Sequence, residues 1–205
     1  MPEYNRKTLE ALRQPLEDRC ISVSRVSRSI TYPAHFMLIA SMNPCPCGYF
    51  GSTVKECTCT QREILNYVSK ISGPLLDRID IYVTVDNVEY DELRSNRYCE
   101  DSKTVRNRVE KARDIQLSRF KEDGIYTNSQ MNNALIKKYC NIDSDSELLL
   151  RKVFENQHLS PRAITRILKT ARTIADLGNK DNIEFDDVAE AIQYKTVDKK
   201  EMIIG

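Results

Sequence analysis

Leu9, Leu12 and Leu16 recur at three- and four-residue spacing along one stripe, which predicts a helix over residues 7–17. The pattern then changes period. Ile21 and Val23, and after them Ile30 and Tyr32, alternate with polar residues on either side of positions 24–28, as in a β-hairpin that Pro33 ends. Residues 35–42 are apolar on both faces between Pro33 and Pro44, the pattern of a buried parallel strand. A loop rich in Cys, Gly and Pro follows over 43–60. A helix is expected over 61–71 with Ile64, Leu65 and Val68 inward, broken by Ser72-Gly73-Pro74. A second strand is expected over 79–85, where β-branched residues alternate with polar ones.

Beyond a polar connection over 86–101 every pattern is helical. Ser102 is the expected cap of a helix to about residue 120, with Val105, Val109, Ala112 and Ile115 on one stripe. Further helices are expected over 133–140 and 146–157. Ser160 followed by Pro161 is an N-cap with proline at the first helical position, and that helix runs to Leu177, where Gly178 stops it. Asp186 is the expected cap of a last helix over 187–195. The chain therefore reads as an α/β part followed by an all-α part, divided within 121–132 and drawn as residues 1–125 and 126–205.

Charge and composition narrow the function. The 205 residues carry 31 Lys and Arg against 30 Asp and Glu, a net charge of +1, which excludes a globally basic nucleic-acid binder but leaves room for a local basic face. None of the six glycines frames a G-x-x-x-x-G-K-[ST] or G-x-G-x-x-G loop, so no phosphate-cradling loop is present. Two histidines cannot make a His-rich metal centre. The first residues have no apolar segment of the signal-peptide type, and no apolar run reaches membrane-spanning length. A cytoplasmic chain without membrane partners is expected, and there thiols stay reduced. Seven cysteines then require a reading other than a disulfide framework. Cys20, Cys99 and Cys140 are scattered, whereas Cys45, Cys47, Cys57 and Cys59 form C-x-C-x₉-C-x-C. Two thiolate pairs at the ends of a short loop containing Gly48 and Gly51 can converge on one tetrahedral Zn²⁺. An iron–sulfur cluster, free thiols, or a hairpin closed by a disulfide on oxidation are the alternatives.

Three polar residues stand where chemistry is plausible. Asn43 ends the expected strand 35–42, where ligands sit in open α/β sheets; it either holds a water or phosphate oxygen or makes a turn before Pro44. Arg78, between Asp77 and Asp80, is either a surface ion pair or an arginine finger reaching a neighbour's γ-phosphate. Arg162, in the first turn of a helix, opposes the helix dipole unless a phosphate compensates it. The nine basic residues from Arg94 to Lys121 are interleaved with acids and read as a solvated helix face with ion pairs. Arg25 and Arg28 near the hairpin tip are better placed to contact a DNA backbone.

Several segments carry a resemblance: LEALRQPLED over 9–18, FMLIASMNPCPCG over 36–48, SGPLLDRIDI over 72–81, and SPRAITRILKTARTIADL over 160–177. Their order resembles the magnesium-chelatase-like AAA+ ATPases of the ComM/YifB family across essentially the whole chain. The resemblance implies the C-terminal part of an AAA+ α/β sheet domain followed by an all-α helical lid, within a homo-oligomeric, hexameric ring with ATP and Mg²⁺ at subunit junctions. It implies that the ring acts on single-stranded or branched DNA, promoting branch migration in natural transformation. Under it Asn43 is sensor 1, Arg78 the arginine finger, Arg162 sensor 2, and the hairpin points toward the ring pore. Met1-Pro2-Glu3-Tyr4 resembles the tail after the family's Walker B acids, so both nucleotide-binding motifs are expected to lie upstream. The chain alone is then expected not to hydrolyse ATP. A chelatase-type ATPase that remodels a metal-inserting enzyme, and a zinc-stabilised interaction module, are the other two classes.

Overall fold

The computed structural model describes residues 1–25, 28–85, 90 and 100–196, in two compact units, 1–79 and 80–196. Ser27, Arg94, Arg97 and Cys99 lie outside the described residues.

In the first unit the leucine stripe forms two short helices rather than one, α1 (Arg6–Ala11) and α2 (Arg13–Asp18). Pro15 in the first turn of α2 has no N–H to give a continuous helix, and the chain breaks at Leu12. Strands β1 (Cys20–Arg25) and β2 (Arg28–Pro33) pair antiparallel, with Ile21 opposite Tyr32 and Val23 opposite Ile30 on one face. On the other face Ser22 and Thr31, and Ser24 and Ser29, bring their hydroxyls to 3.1 Å. The hairpin is as the alternation predicts.

The other two expected strands are not formed. Residues 34–43 and 79–85 are extended but join no ladder among the described residues, and Met37, Ile39 and Val85 are more than four-fifths exposed. A strand is stabilised by hydrogen bonds to a neighbour, and β1–β2 is the one sheet among the described residues. An apolar run specifies burial but not the partner that provides it. Helix α3 (Gln61–Val68) is shorter than expected at its end. Its start is a capping box: Thr60 accepts from the Glu63 N–H, and the Glu63 carboxylate accepts from the Thr60 N–H at 2.8 Å. After Ser72 comes the single-turn α4 (Gly73–Leu76). Leu9, Ile71 and Leu75 form the core of this unit.

The second unit is helical: α5 (Ser102–Arg119), α6 (Asn133–Tyr139), α7 (Ser144–Gln157), α8 (Pro161–Leu177) and α9 (Phe185–Lys195). Three caps differ from expectation. Asp101 rather than Ser102 caps α5, Asp143 starts α7 two residues early, and Glu184 rather than Asp186 precedes α9. In the first two cases an aspartate one or three residues upstream offers the stronger acceptor to the free N–H groups. On α8 the stripe Ala163, Ile167, Ala171 and Ala175 is almost fully buried, and small residues there let α9 lie close against it through Val188, Ala191 and Ile192. No described helix is long and apolar enough to cross a membrane.

Candidate functional site

The first unit's cysteine loop converges. The sulfurs of Cys45, Cys47, Cys57 and Cys59 all lie within 4.8 Å of one another. Cys45–Cys47, Cys47–Cys57 and Cys45–Cys57 stand at 3.3, 3.5 and 3.6 Å, far beyond a disulfide bond of about 2.0 Å. With metal–sulfur bonds of about 2.3 Å, a tetrahedral ion sets its ligand sulfurs about 3.8 Å apart. Cys45, Cys47 and Cys57 are therefore within a few tenths of an ångström of the spacing in a four-thiolate metal cage, with the Cys59 sulfur near enough to complete it.

The backbone is arranged to hold negative sulfur. The amides of Phe50, Cys47 and Cys59 donate to the sulfurs of Cys45, Cys59 and Cys57, each at 3.4 Å. Gly48 and Gly51 take φ of 85° and 76°, left-handed turns that let the chain fold back between the two cysteine pairs. The Tyr49 backbone N–H, followed by that of Thr58, pulls the Cys47 thiol down to about 5. Burial pushes Cys59 up to about 12. At Cys57 the Cys59 amide lowers the value, but burial and the sulfurs of Cys47 and Cys45 outweigh it and the thiol is raised. The thiolate is thus favoured at Cys47 and disfavoured at Cys57 and Cys59, where a bound cation would balance the charge. Four sulfurs suit a soft or borderline ion and not Mg²⁺, which takes oxygen ligands. Among the described residues no other group of three or more Cys, His, Asp or Glu lies close enough to hold a metal ion.

Asn43 is exposed and lies immediately before this loop. Its carboxamide faces Gly48, where an added Cβ would stand 3.7 Å from Asn43 Nδ2. The structure therefore brings Asn43 and the four cysteines together. Arg78 departs from expectation. As a surface residue it would meet only Asp77 or Asp80; instead its side chain is 9% exposed. Its Nε stands 3.0 Å from the Glu17 carboxylate as an ion pair that does not meet hydrogen-bond geometry, and its Nη1 donates to the Pro74 carbonyl at 2.6 Å. The residue's environment is set by α2, some sixty positions upstream, and no local signal marks it. Arg25 and Arg28 are exposed and directly opposite each other at the end of the ladder. Two like charges so placed repel unless an anion intervenes.

In the second unit Arg162 is exposed in the first turn of α8, and one turn on Arg166 pairs with Asp80. The basic stretch 103–121 divides. Arg108 makes a two-pronged pair with Glu100 at 2.7 and 3.0 Å, the surface pairing expected. Arg119 instead turns inward to the buried Asp176, together with Arg172 and Asn128. Neither Arg166 nor Glu17 is distinguishable by sequence, because each partner lies on another element.

Comparison with known proteins accounts for nearly all of the chain. The family model described as "Magnesium chelatase, subunit ChlI" matches residues 1–93, and that described as "Magnesium chelatase, subunit ChlI C-terminal" matches residues 99–195. The chain belongs to the magnesium-chelatase-like family. It is 36% identical over 200 residues to "Uncharacterized protein YifB" of Escherichia coli, covering 97% of this chain, and 37% identical over 198 residues to "Competence protein ComM" of Haemophilus influenzae, covering 96%. An uncharacterized protein of Mycobacterium tuberculosis is 34% identical over 197 residues. In each case the chain spans 38% of the relative's length.

Proposed function

We propose that this chain is the sensing and arginine-finger part of an AAA+ ATPase that assembles as a homo-oligomeric ring and acts on DNA, with Zn²⁺ held by Cys45, Cys47, Cys57 and Cys59. The observation that carries the DNA reading is the hairpin. Its exposed face runs from the Ile21–Tyr32 and Val23–Ile30 pairs to the opposed Arg25 and Arg28. Apolar side chains offer bases a surface, and guanidinium groups offer the phosphates a sequence-independent partner. The likeness to a competence protein supports it.

ATP supplies the phosphoryl group whose transfer drives the ring. Of this chain's residues, Asn43 orients the attacking water, Arg162 meets the nucleotide of its own subunit, and Arg78 leaves Glu17 to stabilise charge at a neighbour's. The phosphate-binding loop and the Mg²⁺ ligands are supplied by segments other than these 205 residues, so the purified chain does not turn ATP over. The identity of the metal as zinc rests on the four-sulfur donor set and on the close approach of Cys45, Cys47 and Cys57.

The test is ATP hydrolysis by a full-length protein carrying this segment, with and without single-stranded or branched DNA. Stimulation by DNA that Arg25→Ala/Arg28→Ala weakens, most at low salt where the lost phosphate contacts count for most, is the expected result. Activity indifferent to DNA but raised by a protein partner would favour the second reading, a chelatase-type remodeller, which the family description supports.

A further inference from the structure

Asn43 has two neighbours, and both adjoin the sulfur cluster. The first is Gly48, whose side-chain-free face is turned to the carboxamide; a Cβ built there would lie 3.7 Å from Nδ2 and 3.9 Å from Cγ. Gly48 closes the turn that Cys45 opens, its N–H donating to the Cys45 carbonyl at 3.1 Å. Cys45 is fully buried, and it and Cys47 are both members of the cluster. The surface under Asn43 is therefore a turn with two sulfur ligands inside it. The second neighbour is Tyr67, 6% exposed on α3, beside the Asn43 backbone and the Glu3 carboxylate. Helix α3 starts directly after Cys59, through the Thr60–Glu63 capping box. Pro46, between the two cysteines of the first pair, lines one cavity of about 330 Å³ with Glu3, Glu63 and Tyr67. Loop, helix and Asn43 thus lie side by side, and the four sulfurs can tie the two ends of the loop together through a metal.

We propose that metal occupancy at the four cysteines sets the orientation of the Asn43 carboxamide, with Gly48 and Tyr67 as the positioning residues that transmit it. Without the ion, the turn is held by N–H···S contacts around sulfurs that repel when ionised, and its two left-handed glycines give it wide conformational freedom. With the ion, the turn and the start of α3 are fixed relative to each other, and Asn43 is fixed between them. The consequence for ATP hydrolysis rests on the reading of Asn43 as a nucleotide-facing group; the coupling itself does not.

The experiment follows the Asn43 side-chain NH₂ resonances of the ¹⁵N-labelled 205-residue chain, assigned by their loss in Asn43→Asp. Removing zinc should move or broaden them while the signals of residues 100–196 stay in place. Replacing Zn²⁺ by Cd²⁺, and changing Tyr67 to Phe with one zinc per chain retained, should move them as well. Asn43 resonances unmoved by zinc removal overturn the proposal. If removal unfolds residues 1–79, resonances unmoved by both Cd²⁺ and Tyr67→Phe overturn it. In the full-length protein, zinc removal should lower kcat about 10-fold, the scale of a lost supporting contact, and should lower it no further in Asn43→Ala. Unchanged kcat in Asn43→Ala, with the resonances still tracking the metal, would sink the nucleotide role of Asn43 and leave the coupling standing.

Discussion

Replacing Asp176 by Ala tests how the helical unit is held together. Its carboxylate is 1% exposed and accepts from Arg119 Nη1 at 2.9 Å, from Asn128 Nδ2 at 2.8 Å and from Arg172 Nε at 3.1 Å, with a further contact from Arg119 Nη2. The two guanidinium groups are 13% and 3% exposed. Alanine leaves both without a counter-charge. Removing one partner of a buried ion pair costs about 3–5 kcal/mol, because the remaining charge stays desolvated. Here the cost is moderated. Arg172 keeps the carbonyls of Asp181 and Lys180 at 2.9 and 2.8 Å, and Arg119 keeps Asn128 Oδ1 at 3.1 Å. The lower end of the range, about 3 kcal/mol, is therefore expected, equivalent to a fall in Tm of roughly 10–15 °C for a unit of this size. The exposed Arg108–Glu100 pair is the contrast: Glu100→Ala should cost less than about 1 kcal/mol. Urea titration and thermal melting followed by circular dichroism measure both. Asp176→Ala no more destabilising than Glu100→Ala would refute the claim that this network, rather than the surface pairs, ties α5 to α8.

Metal affinity should fall as pH falls. Cys57 and Cys59 are raised and hold protons at pH 7 that the ion must displace, so affinity should drop by at least about 100-fold per pH unit near neutrality from these two thiols, in competition with a chromophoric chelator; a flat profile would contradict it. Gly48→Ala should cost about 1–2 kcal/mol in urea titration, because φ of 85° strains a side-chain-bearing residue. Gly51→Ala, at φ 76° with open space around it, should cost as much without moving the Asn43 resonances. In the full-length protein Arg78→Ala should lower ATP hydrolysis about 10³-fold or more with nucleotide affinity nearly intact, as measured by turnover and equilibrium binding.

What the sequence made legible follows from the range of the interactions. Helix α8 could be read to the residue because Ser160, Pro161 and Gly178 act within one turn of where they stand. The hairpin could be read because its register follows from period-two alternation across a short connection. The cysteine cluster was visible as two pairs separated by a glycine-containing loop. Residues 35–42 and 79–85 were misjudged because an apolar run is also what an extended segment without a ladder looks like. Arg78–Glu17 and Arg166–Asp80 were not visible at all, since nothing in a one-dimensional pattern reports which distant carboxylate an arginine will meet. The same holds for Asn43 facing Gly48, five residues on, a placement that depends on the left-handed turn at Gly48.

The most direct test of the account is a subunit-mixing assay in the full-length protein. Arg78→Ala subunits and subunits lacking a working phosphate-binding loop are each prepared inactive and then mixed. If Arg78 serves a neighbouring subunit, mixed junctions pair an intact arginine with an intact nucleotide site, and ATP hydrolysis should recover in proportion to the fraction of such junctions. No recovery, with mixed rings demonstrated by native mass spectrometry, would mean that Arg78 acts within its own subunit or remains with Glu17, and would contradict the ring ATPase as described.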